Sequence, residues 1–217
     1  MSHLREQYRK RGLRRVDLAA DPITQFERWW DEWIEADPYD AAACVLATAD
    51  EDGRPAARYV LCRGVDDRGL VFYTNQHSAK ARQLAVNPRA ALVFGWLEVG
   101  RQVRIEGPVS QVDRGEADVY WATRPRGSQI AAWASDQSAA LVDRRELDTQ
   151  FADAVARFGG DPEGGPPIVR PPHWGGFRVA VERAEFWQGS TDRLHDRFVY
   201  RRSLSDPRTW VIDRLAP

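Results

Sequence analysis

From residue 43 onward the chain is cut by turn residues into short β-rich runs at nearly regular intervals, and that spacing limits the folds open to it. Residues 44–49 (CVLATA) end at Asp50-Glu51-Asp52-Gly53 and are followed by residues 55–63 (PAARYVLCR), which reads as strand, turn, strand. Asp66-Asp67-Arg68-Gly69 makes the next turn, and residues 70–74 the next strand. Residues 89–96 and 101–112 continue the pattern with Gly100 between them, and the stretches 177–187, 193–201 and 209–215 close it. The spacing implies about seven strands in an antiparallel, meander-like set, which favours a barrel or sandwich over a parallel βαβ sheet. The fold class is therefore mainly β, a β-barrel or β-sandwich with flanking helices. Asp21-Pro22 reads as an N-cap and first helical residue, with Ile23, Phe26, Trp30 and Trp33 on one helix face. Residues 78–86, 114–123 and 144–158 read as further helices, the last with Leu147, Phe151, Val155 and Phe158 on one side. Residues 161–172, rich in Pro and Gly, read as a loop. The expected organisation is a basic N-terminal segment, residues 1–20, ahead of one domain at 21–217.

The charge balance excludes some functions. Lys+Arg number 31 against Asp+Glu 32, a net charge of -1, which gives no basis for bulk nucleic-acid or membrane binding. No stretch approaches the ~20 apolar residues of a membrane span. Cys44 and Cys62 each lie in an apolar run without a CxxC and are expected to be reduced core residues, a disulfide between neighbouring strands being the weaker alternative. A cytoplasmic location follows as an expectation. There is no GxGxxG, GxxxxGK[ST] or GxSxG, so the commonest nucleotide and hydrolase signatures are missing. Nine Trp suit a large interface or a pocket for a flat ring.

Four segments carry the chemistry. In WQGSTDRLHDR, residues 187–197, a continuous strand would place Arg193, His195 and Arg197 on one face, apt for an anionic or electron-rich ligand. In FYTNQHSAK, residues 72–80, a strand end, a helix start near Ser78 and Lys80 converge as they would around a phosphate. In YWATRPRGSQ, residues 120–129, Tyr120 and Arg124 share a helix face, and Ser128 follows a turn at Pro125 and Gly127. In RYVLCR, residues 58–63, arginines bracket an apolar strand. Each has an ordinary structural explanation: a solvated edge, a Ser N-cap, a basic helix end, a strand reaching water. Together they point to a phosphorylated aromatic ligand, one or two of them.

With RQVRIEG, QS at Gln137-Ser138, HWGGFRV, EFWQG and the closing IDRLAP, these segments make the chain resemble the pyridoxine 5'-phosphate oxidase family over nearly its whole length. The resemblance implies an antiparallel FMN-binding split barrel, a homodimer with FMN at its interface, and oxidation of pyridoxine or pyridoxamine 5'-phosphate by dioxygen to pyridoxal 5'-phosphate and hydrogen peroxide. It assigns Arg58, Tyr59, Val60, Leu61, Tyr73, Thr74, Lys80, Gln102, Gln137, Ser138, Trp187 and Arg197 to FMN, some from the second subunit. It assigns Arg63, Tyr120, Arg124 and Ser128 to the substrate phosphate, Arg193 and His195 to the reacting ring as catalytic residues, and Arg5 and Tyr8 to a covering lid. Arg63 stands where the family usually has Lys, and Ala79 where many members have Arg. Arg58 and Arg63 have opposite strand parity, so a bulge or a strand end is expected near them. The alternatives are a related flavin oxidase acting on another aromatic, such as a phenazine precursor, and a non-enzymatic flavin- or heme-binding module.

Overall fold

A computed structural model describes residues 12–159, 161, 164–206 and 208–217. Nine antiparallel strands form the body: β1 (Ala43–Ala49), β2 (Pro55–Asp66), β3 (Gly69–Asn75), β4 (Arg89–Trp96), β5 (Arg101–Gln111), β6 (Trp174–Val179), β7 (Arg183–Gln188), β8 (Asp196–Arg202) and β9 (Trp210–Leu215). Their order is β4-β1-β2-β3-β6-β5, and β5 pairs back with β4, so six strands close into a barrel. Strands β7, β8 and β9 extend from β5 as a sheet outside the closure.

This corrects the strand count of about seven, chiefly because residues 177–187 are two strands. β5 serves both. Residues Arg101 to Glu106 pair with β7, and Val109 to Gln111 pair with β6. The change of partner falls at Gly107, where an added Cβ would lie 1.8 Å from the Ala180 carbonyl oxygen. Only a residue without a side chain lets the turn between β6 and β7 cross so closely. The Ala180 and Glu182 N–H groups donate to the Pro108 and Glu106 carbonyls on either side of that glycine.

Helix α1 (Pro22–Glu35) starts as its sequence dictates: the Asp21 carboxylate accepts from the Thr24 N–H at 2.9 Å. Its apolar face buries Phe26, Trp29 and Trp33 against Phe94, Trp96 and Phe186, with Phe26 and Phe94 edge to face at 4.9 Å. Ile23 and Trp30 are partly buried at the margin of the same cluster. Leu13 and Ala19 are buried as well, so residues 12–20 pack on the body rather than standing apart from it.

Four further helices, α2 (Ala79–Val86), α3 (Arg114–Ala122), α4 (Arg126–Ala134) and α5 (Arg144–Arg157), flank the barrel. The last three enclose a second apolar cluster of Trp121, Ile130, Ala154, Ile168 and Trp174. The loop after α5 is tied to it by two indoles, Trp121 Nε1 donating to the Ile168 carbonyl and Trp133 Nε1 to the Val169 carbonyl. Helix α4 is an element that the residue pattern did not announce: Pro125 stands at its N-cap, and Gly127 and Ser128 lie inside its first turn. Cys44 and Cys62 are buried and free. No helix among the described residues is long and apolar enough to cross a membrane.

Candidate active site

The β2 strand alternates cleanly: Arg58, Val60 and Cys62 lie inward, while Tyr59, Leu61 and Arg63 face out. The expected irregularity sits at Arg63, where the β2–β3 register shifts between Cys62 and Gly64. Across β2 and β3 a cavity of about 650 Å³ opens on the barrel wall. Of the residues expected at a cofactor or substrate, Tyr59, Val60, Leu61, Arg63, Tyr73, Thr74, Lys80, Tyr120, Arg124, Ser128 and Gln137 line it. Thr123, Pro125 and Trp174 line it too. All three lie in segments already singled out, Thr123 and Pro125 in YWATRPRGSQ and Trp174 in HWGGFRV.

One wall is a stack of rings. Tyr73 lies on Tyr120 at 4.0 Å and 13°, and Trp174 is parallel to Tyr73 at 5.4 Å and 5°. Gly176 leaves room for it, since a Cβ there would meet the Tyr73 ring at 2.7 Å. Burial pushes the Tyr73 phenol up to about 12, with the Glu116 and Tyr120 charges adding to the shift.

The other groups are cationic. Lys80, buried in the first turn of α2, donates to Thr74 Oγ1 at 3.2 Å and to Ser78 Oγ at 3.4 Å, both neutral. Burial lowers its pKa, and the nearby Arg58 lowers it further. Arg58 itself does not line the cavity. Its guanidinium turns inward to Thr48 and to Gln83 Oε1, the latter at 3.1 Å, and burial lowers its pKa. Arg124 lies over the Trp174 ring at 4.5 Å and donates from Nη2 to the Ser128 carbonyl at 3.1 Å. Its Nη1 is buried without a partner, and burial, followed by the Arg63 charge, lowers its pKa. Among the described residues, none of Arg58, Arg63, Lys80 and Arg124 forms an ion pair. Cations gathered at an aromatic wall with no carboxylate to balance them form a site for an anion.

Gln137 and Ser138 reach this site from far along the chain. Thr74 Oγ1 donates to Gln137 Oε1 at 2.9 Å, and the Ala79 N–H donates to Ser138 Oγ at 3.2 Å. Ser138 is held at φ 76°, a left-handed conformation that a serine adopts only when its contacts demand it. Arg124 needs a correction: α3 ends at Ala122, so Arg124 lies beyond the C-cap Thr123 rather than on a helix face with Tyr120. The two meet because the chain turns directly into α4.

The remaining expected residues form a second group that does not line the cavity. Gln102, Trp187 and Arg197 are direct cross-strand neighbours on β5, β7 and β8, so their side chains share one sheet face. Arg193 and His195 are not on that strand, which corrects the expectation of one face for Arg193, His195 and Arg197. β8 begins at Asp196, and Thr191–Arg193 form a 3-10 turn. Asp192 and Arg193 stand at φ 57° and 60°, two successive left-handed residues that no β-strand admits. The His195 ring lies 4.6 Å from Trp187, and its Nδ1 accepts the Ser190 N–H at 3.2 Å. With Nδ1 as acceptor, the neutral ring carries its proton on Nε2. Arg5 and Tyr8 lie outside the described residues.

A closed six-stranded antiparallel barrel with a cationic, aromatic-walled cavity on its side defines the class, the FMN-binding split-barrel proteins. The chain belongs to the pyridoxamine 5'-phosphate oxidase family. That family's profile matches residues 31–158, and that of the pyridoxine 5'-phosphate oxidase C-terminal dimerisation region matches 174–217. The chain is 48% identical over 217 residues to the pyridoxine/pyridoxamine 5'-phosphate oxidase of Burkholderia multivorans, covering 100% of this chain and 99% of that one. Among solved structures it is similar to PhzG from Burkholderia lata, in complex with tetrahydrophenazine-1-carboxylic acid, with a TM-score of 0.84, 34% identity, and 93% of this chain and 95% of that chain covered. A pyridoxamine 5'-phosphate oxidase-related, FMN binding protein from Nostoc punctiforme shares the fold, with a TM-score of 0.69, 18% identity, and 92% and 100% covered.

Proposed function

We propose that this chain is an FMN-dependent oxidase that converts pyridoxine and pyridoxamine 5'-phosphates to pyridoxal 5'-phosphate. The observation that carries the reading is the presence of two cationic groups lining one cavity, Lys80 as one and Arg63 with Arg124 as the other, beside a flat aromatic wall. Two phosphorylated ring systems meet that pattern better than one. The residues present fit FMN. Among the described residues Lys80 has only neutral partners, and its pKa is lowered by its surroundings, so a phosphate would supply the anion it lacks. Arg63, Tyr120, Arg124 and Ser128 would hold the substrate phosphate, which the unpartnered Arg124 Nη1 favours.

FMN, held at its phosphate by Lys80, would supply the redox chemistry, a two-electron oxidation of the substrate with dioxygen as the final acceptor and hydrogen peroxide as its product. The chain's own residues bind and orient. His195, with its Nδ1 occupied by Ser190, is a hydrogen-bond donor through Nε2 toward the reacting ring. Arg193, exposed and set by its left-handed backbone, adds a positive charge beside it. Both stand with Trp187 and Arg197 apart from the cavity and inside the region matching the dimerisation profile. We therefore read the working unit as a homodimer in which each copy contributes one group to its partner's site.

A second reading rests on the Burkholderia lata relative, whose bound molecule is a carboxylic acid of a phenazine. Two arginines free of carboxylate partners suit a phosphate dianion better than a single carboxylate. The test is an oxygen-consumption assay of the FMN-reconstituted protein with pyridoxine 5'-phosphate, pyridoxamine 5'-phosphate and a reduced phenazine carboxylic acid. Aldehyde formation from the two phosphorylated substrates is expected. Oxidation of the phenazine alone would sink the proposal.

A further inference from the structure

We propose that Glu185 is a positioning residue that sets Arg197 for the cofactor; this rests on the reading of Arg197 as an FMN contact. Glu185 lies on β7 and is only 3% exposed, yet it is a carboxylate on the outer face of the sheet. Arginines cover it. Its Oε1 accepts from Arg197 Nε at 2.8 Å and from Arg197 Nη2 at 2.7 Å. Its Oε2 accepts from Arg104 Nη2 at 3.0 Å, with Arg183 Nη2 at 3.5 Å.

The alternation of the strands explains the cluster. Glu185 and Trp187 are two residues apart on β7, so they share a face, and Arg197 sits directly across from Trp187. Glu185 is therefore diagonal to Arg197, within reach of a long side chain. On the far side Arg197 Nη1 donates to the Ala216 carbonyl at 2.8 Å. A guanidinium has five N–H groups. Three are taken by Glu185 and Ala216, which leaves one on Nη1 and one on Nη2. An arginine without such a clamp spreads over many rotamers, and ordering it on binding carries an entropic cost. Glu185 removes that cost before any ligand arrives.

The network also supplies its own control. Arg104 and Arg183 have a second carboxylate, Glu106, whose Oε1 lies 2.5 Å from Arg104 Nε and 2.9 Å from Arg183 Nη1. Among the described residues, Glu185 is the one carboxylate paired with Arg197. Removing Glu106 takes the same charge from the cluster and leaves the Arg197 clamp in place.

The experiment is a fluorescence titration of FMN into full-length apoprotein, with a thermal melt of each apoprotein in parallel. Glu185→Gln is expected to raise the FMN Kd about tenfold or more. Glu106→Gln should leave it within about twofold. In an Arg197→Ala background Glu185→Gln should add nothing, since the group it positions is gone. Should Glu185→Gln fail to fold, Glu185→Asp carries the test, because it keeps the charge but withdraws it from Arg197. An unchanged Kd in the Glu185 variant overturns the proposal, as does an equal loss in both Arg197 backgrounds or an equal loss in Glu106→Gln. Wild-type apoprotein that takes up no FMN overturns the cofactor reading itself, and this role with it.

Discussion

Replacing Arg124 with Met separates binding from folding at the centre of the site. The substitution keeps an unbranched stem against Trp174, 4.5 Å beneath the guanidinium, and removes the charge. Three effects on the free protein oppose one another. Losing the cation over the ring costs about 0.5–2 kcal/mol, and losing the bond to the Ser128 carbonyl costs about 1 kcal/mol. Removing the buried, unpartnered Nη1 returns about 1–3 kcal/mol. The sum is close to zero, so the melting temperature should move by no more than about 4 °C. The bound state has no such cancellation. A charge-assisted hydrogen bond to a phosphate oxygen is worth about 1.5–3 kcal/mol, which corresponds to a rise in KM of about 10-fold to 150-fold. Steady-state kinetics with pyridoxine 5'-phosphate, with flavin content read by absorbance, measure both sides. An unchanged KM would refute the reasoning. So would a large fall in melting temperature accompanied by flavin loss, which would make Arg124 a structural residue.

Three further outcomes are expected. Lys80 must be charged to hold a phosphate, and its pKa in the free protein is below the ordinary lysine range, so FMN affinity should fall as pH rises through that lowered value, with proton uptake on binding. Titrations at increasing alkaline pH check this, and Lys80→Met should bind weakly with a flat profile. Arg63→Ala should raise KM for the phosphorylated substrate and leave FMN occupancy nearly unchanged, with Arg63→Lys milder because the charge remains; kinetics of the two variants decide. Burial pushes the Cys44 thiol well above its ordinary range and that of Cys62 to about 11, so neither should react with iodoacetamide in the native protein while both react once unfolded, as read by mass spectrometry.

The parts of the fold that follow from local chemistry were legible in the residues. Turn clusters at 50–53 and 66–69 marked the hairpins, and Asp21-Pro22 marked the start of α1. What was hidden was set from a distance. Residues 180–182 contain neither Gly nor Pro, so 177–187 reads as one strand; the break is imposed by the crossing at Gly107, far away in sequence. Pro125 and Gly127 read as a turn because nothing local says that Pro125 would cap a helix whose Ile130 is fully buried. The loop ahead of β8 has left-handed Asp192 and Arg193 where a glycine would have given warning. In the candidate site, the cations and hydroxyls of 58–80 and 120–128 were visible as residue types. Family resemblance alone singled out Gln137 and Ser138, and their docking onto Thr74 and Ala79 was not foreseen. Glu185 was not singled out, since an acidic residue on an alternating strand reads as solvated, and only the three arginines above it show that it is buried.

The central claim is that the two cationic groups lining one cavity hold two phosphates, those of the cofactor and the substrate. The most direct measurement compares kcat/KM of the FMN-loaded protein for pyridoxine 5'-phosphate and for pyridoxine without its phosphate. With Arg63 and Arg124 both free of carboxylate partners, the phosphorylated substrate should be preferred by a factor of 100 or more, from about 1.5–3 kcal/mol for each charge-assisted contact. Nearly equal values for the two would contradict the account, because they would leave Arg63 and Arg124 with no anion to bind.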